Sequence, residues 1–200
     1  MRRVTPTDLT DAPPASAADR KAADEELRHI EGQAVATRLV GRRIPEVELR
    51  SAAEGWLEMA FMTRNAAILY FYPGAPSQTL VTEDRAEARD FRDHFPNLIR
   101  RGYHVIGVHA QTAGHQLRYM MDGVRHFLAA DPRLRLADLL DVPTYQADGD
   151  RVYHRLTLVV EESRVVHAFY PVSAPEHSAT QVIDWLRRCR PSGALGLLRP

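Results

Sequence analysis

Few stretches of this 200-residue chain bring chemically useful side chains together at short spacing. The richest runs from Tyr72 to Thr82, YPGAPSQTLVT. It offers the phenol of Tyr72, the hydroxyls of Ser77, Thr79 and Thr82, and the amide of Gln78. Such groups can orient a ligand or meet negative charge developing on an oxygen. The stretch holds no thiol. The only cysteine, Cys189, stands near the other end of the chain. A second candidate is His109, which closes the apolar run YHVIGVH at 103–109, with Gln111 two residues on. Histidine titrates near neutral pH and is the natural proton carrier. A surface or hydrogen-bonded structural histidine remains open as the alternative.

Nine histidines invite a metal reading, but no two have the spacing of a helical chelate. His115 and His126 fall on one predicted helix yet would lie about 16 Å apart at helical rise. His104 and His109 have odd separation, so a regular strand sends them to opposite faces. No metal and no cofactor is expected. Cys189 falls in register with Val182, Trp185 and Leu186, which predicts a small buried core residue. A lone cysteine also excludes an intrachain disulfide and a CxxC redox pair.

The elements that must position these residues follow from hydrophobic periodicity. Ala66 to Tyr72, AAILYFY, is apolar without alternation and is closed by Pro73-Gly74. That suits a central strand covered on both faces. In open α/β sheets the loops at the carboxyl ends of such strands carry the ligands. A long helix follows, with Thr82 as its N-cap and Glu83, Asp84 and Glu87 loading its first turns with negative charge. Ala86, Phe91 and Phe95 face the sheet, Pro96 kinks or restarts the helix, and Gly102 ends it. Residues 103–109 form a second buried strand, and Leu117, Met120, Met121, Val124 and Leu128 predict a helix over 113–129. A short helix at 134–142 precedes two β-rich runs, 156–160 and 165–169, joined as a hairpin. A last helix spans 176–190.

Upstream, residues 1–17 read as a mobile tail and 18–40 as a helix with a partial apolar stripe of Leu27, Ile30, Ala34 and Leu39. Glu46 to Leu49 is a short strand. Residues 51–65 are loop-like, anchored by Trp56, Leu57, Met59 and Phe61. The main domain covers 41–190, and 191–200 is a second tail. This order predicts an α/β fold whose central mixed sheet has parallel core strands, an antiparallel hairpin and helices on both faces. The formal net charge is zero, which gives no electrostatic case for nucleic acid. No apolar run is long enough to span a bilayer, and the first twenty residues lack a secretory h-region. A cytoplasmic location is the expectation.

In order and punctuation the chain resembles the peroxiredoxins of the alkyl hydroperoxide reductase/thiol-specific antioxidant family, nearest the bacterioferritin-comigratory subgroup. The resemblance rests on LYFYPG at 69–74, ARDFRD at 88–93, GYHVIGV at 102–108, ADPRLRLADLLDV at 130–142, RLTLVV at 155–160, and VVHAFYPV followed by His177. It implies a thioredoxin-like fold and a homodimer. The family's chemistry uses a cysteine in a TxxC loop, supported by a threonine and a strand arginine. The resemblance maps Thr79 to that threonine and Arg155 to that arginine. The same register puts Thr82 where the attacking cysteine should be, and the loop between Pro73 and Phe91 is longer than usual. A threonine hydroxyl ionises too weakly to replace a thiolate. Where the family has a serine and an aspartate after its VxGV run, this chain has His109 and Gln111.

Three readings follow. In the first, the pocket outlives the thiol and takes a small organic molecule. Thr82, His109 and Arg155 are then its catalytic groups, Tyr72, Ser77, Thr79 and Gln111 its binding groups, and the chemistry is of acid–base or oxyanion type. Arg155 there supplies unbalanced positive potential for an anion or carbonyl, unless it pairs with Glu83, Asp84 or Glu87. The second reading is a non-catalytic interaction protein. The third is a residual thiol peroxidase using Cys189. From the missing loop cysteine we expect no appreciable hydroperoxide turnover with dithiothreitol or thioredoxin as reductant. Robust turnover abolished by Cys189→Ser would contradict this.

Overall fold

A computed structural model describes residues 17–53, 55–74, 78–114 and 122–190. The two predicted tails lie outside that range, save Ala17 at its edge, as do Ser77 and the stretch holding His115, Leu117, Met120 and Met121.

A seven-stranded mixed sheet forms around β3, Ala66–Tyr72, which is buried along its whole length. Its parallel neighbour β4, His104–His109, pairs in register from Ala67↔His104 to Tyr72↔His109. On the other side lies antiparallel β8, Leu156–Glu161, and beyond it β9, Arg164–Phe169. These four strands stand as the apolar runs predict. The antiparallel pair β1, Glu48–Ser51, and β2, Trp56–Glu58, extends the sheet past β5, Phe127–Ala130. Strand β5 corrects the predicted helix over 113–129, since its last turns are a parallel partner of β4. Four apolar residues continuing a helical stripe cannot be told from a strand by period alone.

On one face of the sheet lie α3, Gln78–Arg100, and α5, Ser178–Cys189, packed on Ile68, Tyr70, Tyr72, Val105 and Val159. On the other, Leu69, Phe71, Ile106 and Leu158 meet the end of α1, Ala17–Leu39, and α4, Arg135–Leu140. A four-residue helix, α2 (Met59–Met62), and a separate hairpin, β6 (Thr144–Ala147) and β7 (Asp150–Tyr153), complete the described fold. That hairpin turns on Asp148-Gly149, both at positive φ (53° and 90°). An Asp-Gly pair between two short runs is a direct hairpin signal.

Several expectations are corrected. Helix α3 begins at Gln78, so Thr82 sits inside it and does not cap it, and the helix runs unbroken through Pro96. Leu27 and Ile30 of α1 and Trp56 and Phe61 are each more than half exposed, while Gly32, Leu39, Leu57 and Met59 are buried. Gly32 is covered by Pro171, which leaves no room for a Cβ. Cys189 is exposed. The stripe of α5 that meets the sheet is Ala179, Val182, Ile183 and Leu186, and Cys189 falls on its flank in a final turn exposed from 187 to 189.

A second close approach, within the sheet, is at Gly107 of β4. A Cβ there would stand 2.5 Å from the Tyr70 ring and 2.9 Å from Leu128. Tyr70 in turn hydrogen-bonds His126 Nε2 at 2.7 Å. Gly107→Ala is expected to cost about 1–3 kcal/mol by overpacking, read from denaturant unfolding; an unchanged midpoint would show the contact to be soft. Native Cys189 is expected to react stoichiometrically with a maleimide, and protection until unfolding would show that its turn is covered.

Candidate functional site

The acidic residues of α3 recur at 83, 84, 87 and 90, spacing that keeps them on one side of a helix. Arg155, just ahead of β8, reaches into that side. Its Nη2 lies 2.6 Å from Asp84 Oδ1 and 3.2 Å from Glu83 Oε2, and its Nη1 lies 3.0 Å from Glu87 Oε2. Asp84 Oδ2 accepts the backbone N–H of Gly74 at 3.1 Å, which ties the loop after β3 to the helix. Glu87 Oε1 accepts the Ser178 hydroxyl at 2.9 Å, and Asp90 Oδ2 accepts the Ala179 N–H at 2.7 Å, capping α5 from outside. The strand alternation holds: Arg155 and Thr157 share the α3 face, and Leu156 and Leu158 share the opposite one.

This overturns the expected electrostatics. Arg155 is not an unbalanced cation. It is buried and outnumbered by three carboxylates, the pairing the sequence left as the alternative. Burial pushes the Asp84 carboxyl up to about 6 and that of Glu87 up to about 7, against the pull of the Arg155 guanidinium.

Above Arg155 opens a cavity of about 290 Å³. Its walls are Pro73, Glu83, Tyr145, His154, Tyr170 and the 171–175 turn. Tyr145 and Tyr170 come from β6 and from the end of β9, and each packs on His154, with ring centroids 4.6 and 5.9 Å away. Burial lowers the His154 pKa, so its ring is neutral near pH 7.

The other predicted residues lie near this cavity without all entering it. Tyr72 and His109 are register partners with rings 5.2 Å apart. The β3–β8 ladder ends at Phe71↔Leu156, so Tyr72 stands between His109 and Arg155 on one sheet face. His109 is buried beneath Gly74, which sits at φ +64°, and a Cβ at Gly74 would stand 3.0 Å from His109 Nδ1. That Nδ1 accepts the Gln111 N–H at 2.8 Å, so the neutral ring carries its proton on Nε2. Neither His109, Tyr72, Gln111 nor Thr82 is among the cavity walls. Thr82 is exposed on α3, and the backbone of Thr79 belongs to the helix's first turn. Of the predicted catalytic groups only Arg155 borders the cavity. Glu83 and His154 do so as well. Glu83 is expected from the sequence as a helix charge and a possible partner of Arg155 but not as a cavity wall, and the signal for His154 is its place beside Arg155 in HRLTL.

No family model and no curated protein sequence matches the chain. Solved structures do. Peroxidoxin BcpB from Mycobacterium tuberculosis superposes with a TM-score of 0.65 at 18% identity, over 76% of this chain and 97% of that one. A cysteine-to-serine mutant of PrxQ from Xylella fastidiosa gives 0.64 at 19%, over 74% and 95%. AhpC from Enterococcus faecalis gives 0.61 at 16%, over 75% and 91%. The chain therefore has the thioredoxin-like fold of the peroxiredoxins, with its one cysteine exposed at the end of the last helix instead of in the loop before α3.

Proposed function

We propose that this protein keeps the peroxiredoxin pocket without the thiol, and uses it to bind and transform a small organic molecule by proton transfer. The observation that carries the reading is the cavity itself. It opens at the carboxyl edge of β3, is floored by Arg155, and is bordered by a neutral imidazole, His154, and a half-exposed carboxylate, Glu83. A neutral histidine can take a proton and a carboxylate can steady the cation that results. Arg155, held in place by Asp84 and Glu87, fixes the floor on which the ligand rests. In this reading His109, Tyr72 and Gln111 support the loop from below as positioning residues, while Thr79 and Thr82 belong to the helix rim.

The expected homodimer belongs to the same proposal. It is supported by Leu27 and Ile30, which α1 leaves more than half exposed one helical turn apart. Sedimentation should give a dimer that Leu27→Glu/Ile30→Glu converts to monomer; a wild-type monomer at working concentration would remove it. Among the described residues no helix is long and apolar enough to cross a membrane.

Ser173 is an exposed wall residue outside the ion cluster. Ser173→Trp should fill the cavity, abolish binding of fragments detected by ligand-observed NMR, and leave the melting temperature within a few degrees. Unchanged binding would place the ligand elsewhere.

The buried carboxylates give a pH signature. A carboxyl whose folded pKa is raised contributes stability that is fully present below its unfolded value and is lost as pH rises through its folded value. For Glu87 that window runs from 4.5 to about 7. Glu87→Gln should therefore gain stability relative to wild type between about pH 5 and pH 8. A relative loss over that range would mean that Glu87 is ionised throughout and stabilising as an anion.

A further inference from the structure

We infer that the cavity above Arg155 selects a small organic cation, an amine or quaternary ammonium group set among aromatic rings. The inference rests on the reading of this cavity as a ligand site and names what enters it.

The walls carry the argument. Tyr145, His154 and Tyr170 form a corner, not a stack: the planes of Tyr145 and His154 meet at 45° and those of His154 and Tyr170 at 88°. The three rings line one cavity without stacking on one another, and an aromatic face attracts a cation. Of the remaining walls, Pro73, Pro171, Val172 and Pro175 offer only carbon from their side chains and suit methyl or methylene groups, and Ser173 adds one neutral hydroxyl. The volume, about 290 Å³, lies at the small end of ligand pockets.

Charge points the same way. The guanidinium of Arg155 spends both terminal nitrogens on carboxylates. The side chain of Glu83 is 44% exposed and that of Arg155 only 8%. A molecule entering the cavity therefore meets a carboxylate before it meets the guanidinium. An anion would be repelled at that step, and a cation gains both Glu83 and the rings. His154 adds no opposing charge, because burial keeps its ring neutral.

The test titrates the full chain by calorimetry with three probes: choline, the neutral isostere in which carbon replaces the ammonium nitrogen, and benzoate. Choline should bind saturably, about tenfold or more tighter than its isostere, because the cation–π and carboxylate terms vanish with the charge. Benzoate should not bind. Tyr145→Leu and Glu83→Gln should each weaken choline several-fold with little change in melting temperature, since Asp84 and Glu87 still hold Arg155. If the isostere matches choline, or benzoate binds in its place, the cavity remains a ligand site and cation selectivity falls. If no probe binds and Ser173→Trp changes no fragment binding, the ligand-site reading falls with it.

Discussion

Arg155 enters the acidic side of α3 and there meets Glu83, Asp84 and Glu87, two of them with side chains fully buried. The same side of α3 also carries the polar ties to the loop and to the last helix. Asp84 reaches on to the loop at Gly74, Glu87 to Ser178, and Asp90 to the first N–H groups of α5. One helix side thus joins the strand end, the loop that covers His109, and the last helix. Removing the guanidinium would leave two buried carboxylates without a cation, at a cost of about 3–5 kcal/mol. Arg155 is for that reason a poor probe of ligand binding, and Tyr145, His154 and Ser173 are better ones.

The same contact decides the electrostatics. A peroxiredoxin-type pocket is built around an attacking thiolate, and this chain offers none in the loop before α3. The positive ends that a thiolate would balance are balanced here by carboxylates belonging to the fold. The consequence is a pocket whose accessible charge is negative, with aromatic and prolyl walls. The single thiol, on the exposed last turn of α5, takes no part in it.

Much of the fold was legible because its central strands are unambiguous. An uninterrupted apolar run such as Ala66–Tyr72 has no amphipathic alternative, and its pairing with 104–109 follows from the right-handed crossover of a parallel unit. Strand β5 was hidden because Phe127–Ala130 continues a helical stripe, and the β6–β7 hairpin was missed although Asp148-Gly149 announces it. The site was legible in part. Arg155 could be placed by resemblance, but its partners could not be chosen, since Glu83, Asp84 and Glu87 serve equally well as helix-terminal charges. The helix starts at Gln78, four residues before Thr82, and that shift moves them out of the first turn and into tertiary contact. His109 stands beside the end of β3, as register partner of Tyr72. Its burial under Gly74 depends on the positive φ of one glycine, which no spacing rule reports.

Asp84 and Glu87, buried behind the cavity wall and gripped by Arg155, keep their protons to higher pH than ordinary carboxyls. Titration of the carboxyl carbons by NMR, with Asp84 and Glu87 assigned by Asp84→Asn and Glu87→Gln, tests it most directly. Midpoints near 6 for Asp84 and near 7 for Glu87 are expected. Two carboxylates titrating together in the ordinary range, about 4, would contradict this.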